Sequence, residues 1–242
     1  MTPKACALVS SGKDSNYALL WAASHGFNVE CTITFHPRNR ESWMLQTINT
    51  ELAALQSRAM GLRNLSYIVS GEKEIEVEEI KSALRDAAEK FGFDYLVVGA
   101  LRSDYQRLRL EVVGEEIGVK LVSPAWWCNQ EVYLRVLVDS GVEFVLTRVA
   151  AYGLKTGFLG RVVDEDMVDN IILLSRKFGF NPAFEGGEAE TLAVYTPLYR
   201  NRLCFDADIV RMGDVAELRF NRVWLDRVDT PVEQCYLVNS LS

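Results

Sequence analysis

The first half of the chain alternates between short apolar runs and amphipathic segments, and this alternation limits the fold more than any other feature. In the amphipathic segments apolar residues recur every three or four positions, as along one face of a helix. Strands that alternate with helices predict an α/β fold in which a parallel, doubly wound sheet has helices on both faces. The predicted strands are 5–9, 29–35, 65–69, 95–98 and 119–122, and the predicted helices are 15–25, 47–60, 74–91 and 103–113.

The rhythm is interrupted at Pro124, and the pattern beyond it is mixed α and β. We therefore predict two domains, 1–124 and a second, smaller mixed α/β domain, 125–242. The second contains predicted helices 131–140 and 165–178 and predicted strands 143–149, 192–195, 203–212 and 215–225.

The composition excludes several classes of protein. The net charge of the 242 residues is −7, whereas electrostatic capture of nucleic acid needs a basic surface, so we expect no direct nucleic-acid binding. Because no apolar stretch reaches about 18 residues and no signal peptide is visible, we expect no membrane contact. Five scattered cysteines without a CxxC pair predict reduced thiols and a cytoplasmic protein.

The first polar motif, SSGKDS at residues 10–15, connects the first predicted strand to a helix. A helix N terminus offers backbone N–H groups to a phosphate, and Gly12 permits close approach. Lys13 supplies positive charge, and Asp14 suits a metal ion because a carboxylate repels phosphate. The alternative is a polar turn in which Ser or Asp caps the helix.

The second motif, GALRSDYQRLRLE at residues 99–111, follows another predicted strand. In a parallel sheet it would therefore reach the same edge as residues 10–15. Either polar face of its helix is able to bind a phosphate or a carboxylate, and the alternative is an exposed helix with i,i+4 salt bridges. Its polar candidates are Ser103, Asp104, Arg107, Arg109 and Glu111.

The third motif, FEGGEAET at residues 184–191, places three carboxylates around a Gly-Gly pair. Crowded carboxylates repel one another and favour a nearby cation, which is Mg²⁺, a substrate ammonium or an arginine. The alternative is a solvated acidic loop before a strand. The candidates are Glu185, Gly186, Gly187, Glu188, Glu190 and Thr191.

The first motif resembles the SGGKDS loop of the N-type ATP pyrophosphatases, with Ser11 at the position of the first glycine. This resemblance implies an adenine nucleotide α-hydrolase-like (HUP-type) fold that uses ATP with Mg²⁺ to adenylate an oxygen of its substrate. It also places His36 near the adenine, although a plain loop histidine stays equally open. The implied nucleotide-binding residues are Ser10, Ser11, Gly12, Lys13, Asp14, Ser15, His36 and Gly99.

All three motifs together resemble the diphthine–ammonia ligase (diphthamide synthetase) family, as do residues 42–52 and 152–161. Two departures are visible, Phe184 before the acidic motif and Ala189 where an aromatic residue is usual. The resemblance implies that the carboxylate of diphthine, a modified histidine of elongation factor 2, is adenylated and then attacked by ammonia.

The resemblance also assigns roles to residues. Lys13, Asp14 and Glu188 would be catalytic, and Asp14 would hold the metal. The three carboxylates would bind the quaternary ammonium of diphthine or would bind and deprotonate ammonium, and both roles stay open. The implied substrate-binding residues are Ser103, Asp104, Arg107, Arg109, Glu111, Glu185, Gly186, Gly187, Glu188, Glu190 and Thr191.

The implied partners are elongation factor 2 carrying diphthine and ammonium, and a homo-oligomer stays open. Residues 1–124 would form the ATP-pyrophosphatase nucleotide-binding domain, and residues 125–242 would recognise the substrate. Two alternatives remain at this level. One is an RNA-modifying N-type ATP pyrophosphatase, and the other is a non-catalytic sensor of ATP or AMP.

Overall fold

The structure is a computed structural model, and it describes residues 2–39 and 42–240. The chain divides into two compact units, Met1–Trp127 and Cys128–Ser242. The predicted boundary after residue 124 lies three residues earlier, and the separate roles predicted for the two domains stay predictions. Within the described residues, no helix has the length and apolar character that crossing a membrane requires.

The first unit is built on a parallel five-stranded sheet with the strand order β3-β2-β1-β4-β5, which confirms the predicted fold class. The order reverses between β1 and β4, and in such sheets ligands bind beyond the carboxyl ends of the strands at that point. Its elements are β1 (Lys4–Leu8), α1 (Lys13–Ser24), β2 (Asn28–Pro37), α2 (Ala53–Met60), β3 (Arg63–Val69), α3 (Ile75–Phe91), β4 (Tyr95–Val97), α4 (Asp104–Ile117) and β5 (Lys120–Val122).

Right-handed crossovers place α1 and α2 on one face of this sheet and α3 and α4 on the other. The α3 and α4 face contains a buried cluster in which Ile80 and Leu84 of α3 and Leu110 of α4 pack with Ile33 and Leu96 of the sheet. These residues recur at helical spacing along α3, and along β2 they alternate with Thr32 and Thr34, which are buried on the other face of the sheet. The apolar pattern of the sequence therefore predicts which residues form this part of the core.

Two predicted helices have different bounds in the structure. The helix predicted over 47–60 begins later, with a 3₁₀ turn at Thr50–Leu52 before α2, because Asn49 is left-handed with φ 60°. The helix predicted over 103–113 continues to Ile117, because a glycine at position 114 costs only about 1 kcal/mol inside a helix.

The second unit has a mixed sheet with the strand order β10-β8-β9-β6-β7, as the prediction of a mixed α/β region requires. Among the strand pairs of the described residues in this sheet, β10–β8 is parallel and the others are antiparallel. The last dozen residues carry little information in the sequence, and 236–240 among them form β10 at the edge of the sheet. Its elements are α5 (Gln130–Asp139), β6 (Glu143–Val149), α6 (Glu165–Phe178), β7 (Ala189–Tyr195), β8 (Arg202–Met212), β9 (Val215–Asp226), α7 (Val232–Cys235) and β10 (Tyr236–Ser240).

Four of the five cysteines form disulfides, so the prediction of reduced thiols is wrong for them. Cys6 and Cys31 are directly opposed on β1 and β2, and Cys204 of β8 is bonded to Cys235 of α7. All four are fully buried, and Cys128 is free and exposed. Sequence spacing did not reveal these pairs, because the partners are separated by 25 and 31 residues and meet only in the folded sheets.

Candidate active site

The loop at residues 10–15, called the phosphate loop below, joins the end of β1 to the start of α1. Ser11 is fully buried and left-handed, with φ 72°. The side chain of Gln56 in α2 donates from Nε2 to the Ser11 carbonyl oxygen at 2.9 Å and accepts from Asn16 Nδ2 at 3.2 Å. Asn16 also donates to the Gly12 carbonyl oxygen at 3.0 Å. Two buried amides therefore fix the loop backbone.

The serines of the phosphate loop hold its turn. The Ser10 backbone N–H donates to Ser15 Oγ at 3.2 Å, and Ser15 Oγ donates to the Gly12 carbonyl oxygen at 3.2 Å. Ser10 Oγ donates to Gln46 Oε1 at 2.8 Å. The residue that precedes α1 is Gly12, which offers no side-chain cap, so this is not the capped polar turn that the alternative required.

Lys13 and Asp14 form an ion pair, with Lys13 Nζ 2.8 Å from Asp14 Oδ2. The Lys13 side chain is 2% exposed and that of Asp14 is 22% exposed, so a buried ammonium lies beside a carboxylate that solvent reaches. No group of three His, Cys, Asp or Glu side chains suited to a metal ion occurs in the part of the chain that the structure describes. A single carboxylate nevertheless suits Mg²⁺ that takes most of its ligands from phosphates and water.

The end of β4 packs directly against the phosphate loop. A Cβ atom at Gly99 would lie 2.5 Å from the Ser15 backbone nitrogen and 2.6 Å from the Asp14 carbonyl carbon. Only glycine permits this approach, which gives Gly99 a positioning role. The structure thus brings the first two predicted motifs together at the reversal of strand order.

The polar residues of α4 are mostly engaged with one another. Ser103 caps the helix by accepting from the Gln106 backbone N–H at 3.3 Å. Arg107 pairs with Glu111 at 2.8 Å, and its guanidinium lies 4.8 Å from the ring centroid of Trp126. The i,i+4 salt bridge of the alternative interpretation is therefore present, and the substrate-binding roles of these residues stay predictions.

Arg109 lies in an exposed aromatic cluster beside α3. Its guanidinium is 3.4 Å from the ring centroid of Tyr105 and forms an ion pair with Glu74. The hydrogen bond from Arg109 lowers the pKa of the Glu74 carboxyl, against a smaller opposing effect of desolvation. The neighbouring Asp104 is exposed at the start of α4.

Three amides that support the phosphate loop, Asn16, Gln46 and Gln56, lie outside the three sequence motifs. Gln46 contacts Ser10, and Gln106 of α4 donates from Nε2 to the Met44 carbonyl oxygen at 2.9 Å. Ser42 Oγ donates to the buried Glu76 carboxylate at 2.6 Å. The resemblance of residues 42–52 to the family was the available signal, because this segment connects α3, α4 and the phosphate loop.

His36, predicted at the adenine, lies near the carboxyl end of β2. Its Nδ1 is 3.0 Å from Thr50 Oγ1, and it is half-buried. This contact orients the imidazole toward the 3₁₀ turn before α2. The structure therefore gives His36 a definite partner, and a role in nucleotide binding stays a prediction.

The acidic loop, residues 184–191, belongs to the second unit. Glu188 braces it, because Oε1 accepts from the Asn181 backbone N–H at 3.0 Å and Oε2 from the Gly186 backbone N–H at 2.7 Å. Phe184 is buried and left-handed, with φ 67°. The remaining members include the exposed Glu185, Gly186 and Gly187, the half-buried Glu190 and the buried Thr191.

Residues 3–121 match the family described as diphthamide synthase N-terminal domain, and residues 129–223 match the diphthamide synthase C-terminal domain. A curated relative from Danio rerio, named diphthine–ammonia ligase, is 30% identical over 89% of this chain and 94% of its own. The chain belongs to the diphthamide synthase family. The resemblance of the three motifs is thereby confirmed at the level of the family.

A second relative of this diphthamide synthase family member, the diphthine–ammonia ligase of Bos taurus, is 28% identical over 98% of both chains. Among solved structures, a predicted subunit of tRNA methyltransferase from Methanocaldococcus jannaschii is 15% identical. It covers 80% of this chain and 97% of its own, with a TM-score of 0.42. That likeness is too weak to bear on function.

Proposed function

We propose that this protein is an ATP-dependent ligase that converts diphthine on elongation factor 2 to diphthamide with ammonia. The observation that carries the proposal is the phosphate loop, where a buried lysine precedes a partly exposed aspartate at the N terminus of α1. Membership of the diphthamide synthase family supports the choice of substrate. ATP is accordingly proposed as the source of the activating adenylate.

Amidation of a carboxylate requires activation, because its oxygen is a poor leaving group. A carboxylate oxygen of diphthine would attack the α-phosphorus of ATP, and the bond to the β-phosphate oxygen would break with release of pyrophosphate. Ammonia would then add to the acyl carbon, expel AMP and lose one proton. Lys13 and the positive end of α1 would stabilise the charge that develops on pyrophosphate.

Asp14 is the residue that would hold Mg²⁺, because its carboxylate is solvent-accessible beside the lysine. When bound, Mg²⁺ supplies positive charge that neutralises phosphate oxygens. Gln56 and Asn16 would keep the loop backbone in place while the nucleotide binds. These amides act on the protein and need no contact with ATP.

The acidic loop is proposed to act on the substrate side of the reaction. Both Glu188 oxygens already accept backbone N–H groups, so its contribution to catalysis would be to shape the loop. Glu185 and Glu190 would attract a cationic group, which is the quaternary ammonium of diphthine or free ammonium. Cytoplasmic location follows from the proposed substrate, elongation factor 2.

The deciding experiment incubates the protein with diphthine-bearing elongation factor 2, ATP, Mg²⁺ and ammonium. Mass spectrometry of the modified histidine should show conversion of the carboxylate to the amide, with AMP and pyrophosphate formed in equal amounts. A matched reaction uses factor whose histidine is unmodified and should form no AMP beyond background. ADP in place of AMP, or no amide under any condition, would contradict the proposal.

A further inference from the structure

The second unit contains a cavity of about 320 Å³ that the proposed chemistry does not use. One wall is part of segment 152–161, which resembles the family but has no role in the reaction described above. The other wall is the first turn of α6. The side chains that matter for its chemistry are Lys155, Phe158, Arg161, Asp164 and Asp166.

The backbone beside the cavity is held in a fixed position. The Gly160 N–H donates to the Leu146 carbonyl oxygen of β6 at 3.0 Å, and the Val163 N–H donates to that of Phe144 at 2.9 Å. Gly160 has φ 71°, and a Cβ atom there would lie 2.4 Å from Val238 Cγ2. The neighbouring Arg161 therefore starts from a constrained backbone, which favours a defined site over a loose surface loop.

The cavity carries charges of both signs that do not neutralise one another. Across residues 2–39 and 42–240 the side chains of Lys155, Arg161 and Asp166 have no hydrogen-bond or ion-pair partner. Asp164 uses one carboxylate oxygen to cap α6, accepting from the Met167 N–H at 2.8 Å. The cavity thus places two cations beside two carboxylates, and the side chains of Lys155, Arg161 and Asp166 are available to a ligand.

We propose that this cavity binds a small zwitterion in which a carboxylate is joined to a quaternary ammonium. Lys155 and Arg161 would bind the carboxylate through charge-assisted hydrogen bonds. Asp164 and Asp166 would attract the quaternary ammonium, and the Phe158 ring would add a cation–π contact. The cavity lies at the lower end of the volume range of ligand sites, about 300–1,000 Å³, and so suits a single side-chain end.

This inference rests on the proposed function, since diphthine carries both of these groups. It also assigns different ligands to two acidic regions of the second unit, the cavity and the acidic loop. If the cavity recognises the quaternary ammonium, the proposed role of the acidic loop is to attract free ammonium. The sequence alone left these two roles undecided.

The binding test uses glycine betaine as the probe and needs neither ATP nor elongation factor. Saturation-transfer NMR should detect betaine binding to the full chain at millimolar concentration. The isostere 3,3-dimethylbutanoate, which keeps the carboxylate but lacks the ammonium charge, and choline, which lacks the carboxylate, should each bind about tenfold more weakly, the scale of one charge-assisted contact. Arg161→Gln and Asp166→Asn should each weaken betaine binding by about the same factor.

Two exposed residues outside the cavity give matched controls. Arg200→Gln and Glu165→Gln make charge changes of the same kind and should leave betaine binding unchanged. Equal binding of betaine and 3,3-dimethylbutanoate, or equal binding by Arg161→Gln and Arg200→Gln, would overturn the proposal. Thermal melting of all four variants shows that any loss of binding does not come from unfolding.

An activity assay separates failure of the cavity from failure of the proposed function. The Arg161→Gln and Asp166→Asn variants should raise the KM for diphthine-bearing factor and leave the KM for ATP unchanged. If both variants amidate the factor with the wild-type KM, the cavity assignment is wrong and the proposed function stands. If betaine binding depends on these residues but no amide forms, the cavity assignment stands and the proposed function is wrong.

Discussion

The phosphate loop and the acidic loop share one unusual backbone feature. Each contains a buried non-glycine residue in the left-handed region, Ser11 with φ 72° and Phe184 with φ 67°. This conformation costs about 1–2 kcal/mol for a residue with a side chain, so the surrounding structure must impose it. The two loops differ in which residues impose it.

Two amides from outside the motif add to the serines that hold the phosphate loop, whereas Glu188 of the motif itself holds the acidic loop. Gln56 of α2 and Asn16 of α1 donate hydrogen bonds to backbone carbonyl oxygens of the first loop. In the second, Glu188 fixes the backbone with both of its carboxylate oxygens. A charged residue in a motif can therefore have a structural role without taking part in the reaction.

The largest effect should come from Lys13→Ala. Removing the ammonium that would stabilise pyrophosphate should lower the rate of AMP formation about 100–1,000-fold. The measurement is AMP release with diphthine-bearing factor, and Lys4→Ala, at the exposed start of β1, is the matched control. A rate within twofold of the wild type for Lys13→Ala would remove the phosphate loop from the mechanism.

Phe184→Gly should destabilise the protein by about 3 kcal/mol. Loss of the buried ring, which stacks on Phe180 with centroids 6.5 Å apart, outweighs the relief of the left-handed backbone. Chemical denaturation measures the change. Increased stability would mean that backbone strain, rather than the ring, dominates at this position.

Glu188→Gln tests whether this carboxylate stabilises the backbone of the acidic loop. The amide NH₂ would face one backbone N–H, so one acceptor is lost and the free energy of unfolding should fall by about 2 kcal/mol. Glu185→Gln, which changes an exposed carboxylate of the same loop, should lower it by less than about 1 kcal/mol. If Glu188→Gln abolishes amide formation at wild-type stability, Glu188 is a reacting group after all.

The smallest effect, with the opposite sign to Phe184→Gly, is expected for Ser11→Gly. Glycine relieves the left-handed backbone and removes a buried hydroxyl that has no hydrogen-bond partner among the described residues, so stability should rise by about 1 kcal/mol. Denaturant titration of both glycine variants gives the comparison directly. Destabilisation by Ser11→Gly would show that the hydroxyl contributes to the fold.

Much of the first unit was predictable because its signals are local. Apolar periodicity identified its helices and strands, and the polar motifs that follow β1 and β4 had to meet once the sheet was parallel. The supporting amides were not predictable from pattern, since Gln56 lies 45 residues from the carbonyl oxygen it binds. The sequence around a glutamine does not distinguish a buried side chain that supports a loop from one on the surface.

By itself, the sequence determined the α/β alternation, the placement of three polar motifs at strand ends and in a Gly-Gly loop, and the family resemblance. Only the tertiary structure decided which polar groups are already occupied, as Glu188 is, and which side chains line a cavity without partners, as Arg161 does. It also paired Cys6 with Cys31 and Cys204 with Cys235. The physical reason is that periodicity and backbone conformation depend on near neighbours, whereas hydrogen-bond partners and burial depend on residues that folding brings together.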